Sequence, residues 1–301
     1  MKSDLREKIF NLKATRDAII LAHYYQRPEI QDIADFVGDS FALSQRAAET
    51  RAKVIVFCGV HFMAESAYIL SPDKTVLLPE PEAGCPMADM ANVEQLKELK
   101  AKHPDAAVVS YVNTTAQVKA HSDICCTSAN VLQVVRSVPN KKIIYTPDKN
   151  MGHWLSLQTD KEIIIWEGYC YTHERLKPEN IQKARTEHPD AVVVVHPECP
   201  PGVVAAADYV TGTSGMLQLA REHPAAKFIV GTESGLGHAL KKTAPQKEFI
   251  FPSKHLICAN MKLNTLDKVC RSLETLEPII TVPEEVRIKA RKALDLMLEV
   301  R

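Results

Sequence analysis

No two of the eight cysteines in this chain are spaced C-x-x-C, which argues against a zinc ribbon or a thioredoxin-like motif. Neither sign of charge is in excess: 37 Lys+Arg stand against 37 Asp+Glu, for a formal net charge of +0. Proteins that grip a phosphate backbone usually carry a basic excess or stripe, so no nucleic-acid partner is expected. Long apolar runs are also missing. Stretches such as Ala191–Val195 are far too short to span a bilayer. The opening MKSDLREKIFNLK is charged throughout and does not read as a secretory signal. No G-x-G-x-x-G or G-x-x-x-x-G-K-[ST] pattern occurs, which leaves a nucleotide site with little support. These absences describe a soluble, cytoplasmic protein with no membrane partner.

What is present is a surplus of thiols. A disulfide framework is not expected in a reducing compartment, so the cysteines are core residues, metal ligands or catalysts. The 301 residues suit one large domain or two to three small ones, and the apolar share (46%) and charged share (25%) are ordinary.

The chain repeats itself. Three β-branched runs follow turn signals at Asp17-AIILAHYYQ, His103-PDAAVVSYVN and His188-PDAVVVVHPE. Each reads as a buried parallel strand. His23, Tyr111 and His196 close these strands. Seventeen residues on stand Ser40, Ser128 and Thr213, and seventeen further Phe57, Tyr145 and Val230, within second strands. Third strands follow at TVLLPE, EIIIWEG and EFIFPS, and just beyond each lies one cysteine: Cys85, Cys170 or Cys258. Each unit therefore reads as strand, loop, helix, strand, helix, strand, cysteine loop, helix. The fold class is α/β, with three repeated parallel-sheet α/β/α sandwich units around a pseudo-threefold axis. The expected units are residues 1–90, 91–175 and 176–264, with the C-terminal helical stretch 265–301 packing back on the first.

Ligands of open α/β sheets collect beyond the carboxyl ends of the strands, where all the marked residues lie. Equivalent positions would converge on the axis, bringing three soft thiolates to one point. That set favours iron–sulfur or zinc and leaves one coordination position open, as catalytic metals require. Cys58, Cys125, Cys126, Cys199 and Cys270 read as space-filling core residues, and His103, His188 and His223, each before a proline, as structural turn residues. Ser40, Ser128 and Thr213 precede helical stretches. As single residues they would be helix caps, but as three around one cavity they suit a substrate bearing carboxylates or phosphates. Two residues past the strand ends stand Tyr25, Asn113 and Glu198, again at equivalent positions. With His23, Tyr111 and His196 they supply proton donors, acceptors and a carbonyl-polarising amide. His173, three residues beyond Cys170, is placed to face the same point.

The stretches Ile20-LAHYYQRPEIQDIADFVGDS, Cys85-PMA, Tyr111-VN, Thr127-SAN, Pro147-DKN, His196-PEC, Thr232-E and Asn260-MKLNTL together carry a specific resemblance. Over nearly its whole length the chain resembles the quinolinate synthase family, the A protein of NAD biosynthesis. The resemblance implies one [4Fe–4S] cluster per chain on Cys85, Cys170 and Cys258, with the fourth iron free for substrate. It implies a reaction joining iminoaspartate to dihydroxyacetone phosphate to give quinolinate, with loss of phosphate and two waters. Carried over by motif, the substrate-contact positions are His23, Tyr25, Ser40, Tyr111, Asn113, Ser128, His173, His196, Glu198 and Thr213. The catalytic candidates among them are Tyr25, Tyr111, His173, His196 and Glu198, with Glu198 moving protons beside His196. L-aspartate oxidase enters as the expected supplier of the imine. The chain departs from the family at Tyr169, where His is frequent, and at Tyr24, where Asn is frequent. It also lacks the C-terminal C-x-x-C pair of some members. Two rival readings stand beside this one: another three-cysteine zinc or iron–sulfur lyase acting on anionic small molecules, and a non-enzymatic sugar-phosphate or nucleotide binder with buried cysteines.

Overall fold

The structure, a computed structural model, describes residues 2–300. In the first unit α1 (Lys2–Thr15) leads into β1 (Ala18–His23), followed by α2 (Pro28–Ile33), β2 (Phe36–Gly38), α3 (Ser40–Glu49), β3 (Val54–Cys58), α4 (His61–Leu70) and β4 (Thr75–Leu77). The short α5 (Pro86–Asp89) carries the chain past Cys85 into α6 (Val93–Lys102). The second unit continues with β5 (Ala107–Tyr111), α7 (Ala116–Lys119), β6 (Ile124–Cys126), α8 (Val131–Ser137), β7 (Lys142–Thr146), α9 (Lys149–Ser156) and β8 (Glu162–Ile165). After a 3-10 turn at His173–Arg175 the third unit comprises α10 (Pro178–Glu187), β9 (Val192–Val195), α11 (Pro201–Ala205), β10 (Tyr209–Val210), α12 (Thr213–Glu222), β11 (Lys227–Gly231), α13 (Leu236–Thr243) and β12 (Glu248–Ile250). A 3-10 turn at Asn260–Leu263 precedes α14 (Leu266–Thr275) and α15 (Glu284–Glu299).

The strands form three parallel four-stranded sheets of one and the same order: β2-β1-β3-β4, β6-β5-β7-β8 and β10-β9-β11-β12. In each, the connection reverses direction between the first and third strands, which opens a crevice at their carboxyl ends. The central strands are buried on both faces because successive side chains alternate. Ile20 and Ala22 of β1 pack with Ile9 of α1 and Val269 and Leu273 of α14. Ile19 and Leu21 pack on the opposite face, with Leu43 of α3 and Ala67 of α4. Helix starts follow local chemistry. The side chains of Asp39, Asn92, Thr115, Asp148 and Thr265 accept N–H bonds from the first turns of α3, α6, α7, α9 and α14, while proline opens α2, α5, α10 and α11.

Two expectations require correction. Each unit has four strands, not three. The interval before Ser40, Ser128 and Thr213 holds a short helix and a strand of only two or three residues, too short to show a period of two. The final helix, α15, also reaches beyond the first unit. It lies against α4 of that unit and against α7 and β6 of the second. Asn130 Nδ2 donates to Met297 O at 3.1 Å, and Arg291 Nη1 to Leu70 O at 2.7 Å, so the helix ties both units together. Among the described residues no helix is long and apolar enough to cross a membrane.

The short strand is held by a device repeated three times. Asp35, Asp123 and Asp208 each stand just before it and accept the N–H of Ile20, Val108 or Val193, fifteen residues back, at 2.8, 2.7 and 2.8 Å. Their own N–H groups donate to the carbonyls of the same three residues. The aspartate thus closes a ring with the first strand and sets the register of the edge strand. A hydrogen bond to a charged group contributes about 1.5–3 kcal/mol. Asp123→Ala should therefore lower the free energy of unfolding in urea by about 1–2 kcal/mol, and Asp35→Ala and Asp208→Ala by similar amounts. Three unchanged urea midpoints would remove this role.

Candidate active site

The carboxyl ends of all three sheets open into one cavity. Its walls hold thirteen residues singled out above: His23, Tyr25, Ser40, Cys85, Tyr111, Asn113, Ser128, Cys170, His173, His196, Glu198, Thr213 and Cys258. Each unit contributes a strand-end pair, a hydroxyl and a cysteine.

The three cysteines are half-buried and free of disulfides. Each thiol is hard to ionise there. Burial pushes Cys85 up to about 12, helped by the Cys258 and Glu198 charges. Burial also pushes Cys170 well above the ordinary thiol range and raises Cys258, with Glu198, Cys258 and Cys85 adding to the effect at Cys170. Three thiols that oppose one another's charge in one cavity are a poor structural cluster and a good soft-metal donor set, because a bound metal deprotonates a coordinating thiol outright. Cys170 Sγ, one His173 ring nitrogen and a Glu198 carboxylate oxygen all lie within 4.8 Å of one another.

Beside the thiols runs a chain of hydrogen bonds through all three units. Tyr111 O–H donates to Glu198 Oε1 at 2.6 Å, and His173 Nδ1 lies 2.8 Å from Glu198 Oε2. His173 Nε2 lies 2.9 Å from Thr232 Oγ1, which lies 2.6 Å from the Tyr25 hydroxyl. One consistent direction satisfies every group: Tyr25 O–H donates to Thr232, Thr232 O–H to His173 Nε2, and His173 Nδ1–H to Glu198. Burial opposes a charge on Glu198. His196 and His173, with the bonds from His173 and Tyr111, outweigh it and hold the carboxyl below its ordinary range. Burial and the Glu198 charge push the phenols of Tyr25 and Tyr111 well above theirs.

His23 and His196, repeat equivalents, are treated alike by the backbone. Tyr25 N–H donates to His23 Nδ1 at 3.1 Å, and Glu198 N–H donates to His196 Nδ1 at 3.3 Å. Each imidazole therefore carries its proton on Nε2 when neutral. Burial depresses both to about 3. The His196 ring stacks on His173, with centroids 4.8 Å apart.

None of the three hydroxyls caps its helix. Asp39 caps α3 one residue before Ser40, and Gly212 occupies the cap of α12 before Thr213. Ser128 corrects the expectation of a helix start. It sits in the turn that ends at Asn130, the residue before α8. Gly212 packs closely against this turn: a Cβ there would lie 2.7 Å from Ser128 Oγ and 3.2 Å from its carbonyl carbon. Asn113 Oδ1 is buried with no hydrogen-bond partner, as suits an atom meant for a ligand.

Several wall residues carried no usable sequence signal. Val60, Phe62, Met63, Met87 and Met261 form an apolar side of the cavity, and Thr232 joins the hydrogen-bond chain. The apolar side chains could not be told from core. Thr232 and its neighbour Glu233 were visible only within a quoted motif, without a role.

Fold and cavity together place the chain among triplicated α/β enzymes that bring a three-thiol hub and an acid–base network to one internal site. Comparison supplies the family. The family model described as quinolinate synthetase A protein matches residues 7–299, and the chain belongs to that family. It is 54% identical over 299 residues to the quinolinate synthase of Geotalea uraniireducens (strain Rf4), covering 99% of this chain and 98% of that protein. It is 55% identical over 299 residues to the quinolinate synthase of Desulforudis audaxviator (strain MP104C), covering 99% of each. It is 54% identical over 300 residues to quinolinate synthase 1 of Methanosarcina acetivorans, covering 100% of this chain and 99% of that protein.

The buried neutral histidines have a consequence for stability. Their folded values, about 3, lie below the ordinary 6.5. Between those limits the unfolded chain binds protons that the folded chain refuses, so stability falls as pH falls. Glu198, also depressed, acts in the same sense below its ordinary 4.5. The thermal midpoint should drop steadily from about pH 6.5 to about pH 4, and His196→Gln should flatten that slope. A slope equally steep in His196→Gln would show that this imidazole is not held neutral.

Proposed function

We propose that this chain is a quinolinate synthase, condensing iminoaspartate with dihydroxyacetone phosphate to quinolinate, with release of phosphate and two waters. The observation that carries the reading is the meeting of three equivalent cysteines and a Glu198–His173–Thr232–Tyr25 chain in one cavity. The names of relatives more than half identical over the whole chain support it. Cys85, Cys170 and Cys258 would hold one [4Fe–4S] cluster. The donor set fits: three soft thiols, one from each unit, in a cavity where a free thiolate is disfavoured. When bound, such a cluster presents one iron without a cysteine and supplies Lewis acidity.

The remaining chemistry falls to side chains. Ser40, Ser128 and Thr213 bind the phosphate and carboxylate oxygens, aided by the N–H groups at the starts of α3 and α12. Asp39, beside them, spends its carboxylate on Ala42 N–H and Ser214 O–H, which tempers its repulsion of an anion. Asn113, with its unpartnered amide oxygen, and Tyr111 orient carbonyl and hydroxyl groups. Glu198 is the proton acceptor. It is ionised, reached by Tyr111, and linked through His173 and Thr232 to the Tyr25 hydroxyl, so a proton can pass between the two ends without bulk water. The apolar side formed by Phe62, Met63 and Met87 keeps water from the unstable imine. An L-aspartate oxidase is the expected source of that imine.

One observation favours a second reading. The donor atoms of Cys170, His173 and Glu198 are close enough to hold a single divalent ion, as in a zinc lyase. Anaerobic purification decides between them: a brown protein with equal iron and sulfide and quinolinate-forming activity supports the first, a colourless zinc protein the second. Glu198→Gln should retain the colour and the iron while lowering turnover about a hundredfold or more. Full activity in that variant would end the role given to Glu198.

A further inference from the structure

Asp148 and Glu233 take no part in the hydrogen-bond chain above, yet both are fully buried. They occupy one repeat position, two residues past the ends of β7 and β11. Their bonding is alike. Asp148 Oδ1 accepts the N–H of Met151 at 2.7 Å, at the start of α9, and Oδ2 accepts the N–H of Cys170 at 3.2 Å. Glu233 Oε2 accepts the N–H of Gly235 at 2.7 Å, where α13 begins, and Oε1 accepts the N–H of Cys258 at 3.1 Å. In both, one oxygen grips the scaffold and the other grips a cysteine loop.

The surroundings are built for this contact. Lys149 N–H donates to Gly168 O at 2.7 Å, and a Cβ on Gly168 would lie 2.5 Å from Pro147 O, so only glycine lets the Cys170 loop lie this close to Asp148. Glu233 is neutralised by Lys262 Nζ at 2.9 Å. In the first unit the same repeat position is Val60, which has no acceptor. There the Cys85 loop is held differently: Asn260 Nδ2 donates to Gly84 O at 2.7 Å and His61 N–H to Ala83 O at 2.8 Å.

Resting on the reading of Cys85, Cys170 and Cys258 as cluster ligands, we infer that Asp148 and Glu233 are positioning residues for metal ligation. Each fixes the backbone of its cysteine, and with it the direction of the sulfur, before any metal arrives. The bond is made to the N–H, so the carboxylate itself does not touch the sulfur. Outer-shell partners of this kind typically change metal affinity 10- to 100-fold when removed.

The test compares the anaerobically purified wild-type chain with Asp148→Ala and Glu233→Ala. Iron release to a chelator is followed first. In the metal-free protein, iodoacetamide labelling is then read separately at the three cysteines by peptide mass spectrometry. Iron should leave both variants about tenfold faster or more. Labelling should quicken at Cys170 alone in Asp148→Ala and at Cys258 alone in Glu233→Ala, with Cys85 unchanged. A residue that only capped a helix would lower thermal stability without this cysteine-by-cysteine pattern. If either variant does not fold, Asp148→Asn or Glu233→Gln gives the same readout, keeping the volume while turning one acceptor into a donor. Wild-type rates of release and labelling in the variants overturn the inference and leave the ligand reading intact. A wild-type chain without iron overturns the ligand reading, and this inference with it.

Discussion

Parallel pairing is the constraint from which the rest of this structure follows. A parallel strand can be joined to its neighbour only by a crossover, so within one unit every strand ends on the same edge of the sheet. Whatever chemistry the unit carries must sit in the loops along that edge. Repeating the unit three times with one strand order gives three like edges, and turning them toward one another creates a cavity lined by equivalent positions. The short strands, clipped by Asp35, Asp123 and Asp208, widen each sheet and fix where the hydroxyl-bearing helices begin.

Enclosure then determines the electrostatics. Burial alone would neutralise every titratable group in the cavity, and it does keep His23 and His196 uncharged. Glu198 escapes because the His173 ring and the Tyr111 hydroxyl bind its carboxylate directly. The anion that survives is the one connected across units, to Tyr111 of the second and, through His173 and Thr232, to Tyr25 of the first. At the three thiols burial prevails and keeps them in the neutral form.

The attachment of the units is uneven. The first two share a core with α15 packed across both. The sheet faces of the third unit form separate clusters, one of which meets Tyr24 and Tyr25 of the first unit at its margin. Many of the bonds that draw it to the others are polar and lie around the cavity. Gln31 donates to Gly235 O, Asn150 to Glu198 O and Lys262 to Tyr25 O, and Tyr25 meets Thr232. Assembly of the site and assembly of the molecule are therefore largely the same event.

By itself the sequence determined what repeats. Strand-end residues, hydroxyls and cysteines recur at matching intervals, because strands and helices of one topology consume a matching number of residues in each unit. That arithmetic needs no coordinates, and it led to His23, Tyr111, His196 and the three cysteines. It did not extend to strands of two or three residues, or to the second attachment of α15, because neither leaves a periodic trace. It also assigned Ser128 to a helix start that lies further along the chain. Only the tertiary structure decided which side chains touch. Thr232 is an ordinary residue until it stands between Tyr25 and His173, and Asp148 and Glu233 are ordinary loop acids until a cysteine N–H from more than twenty residues away meets them. Position along a chain records how far an element runs, whereas hydrogen bonds and burial depend on distances that exist only after the elements have packed.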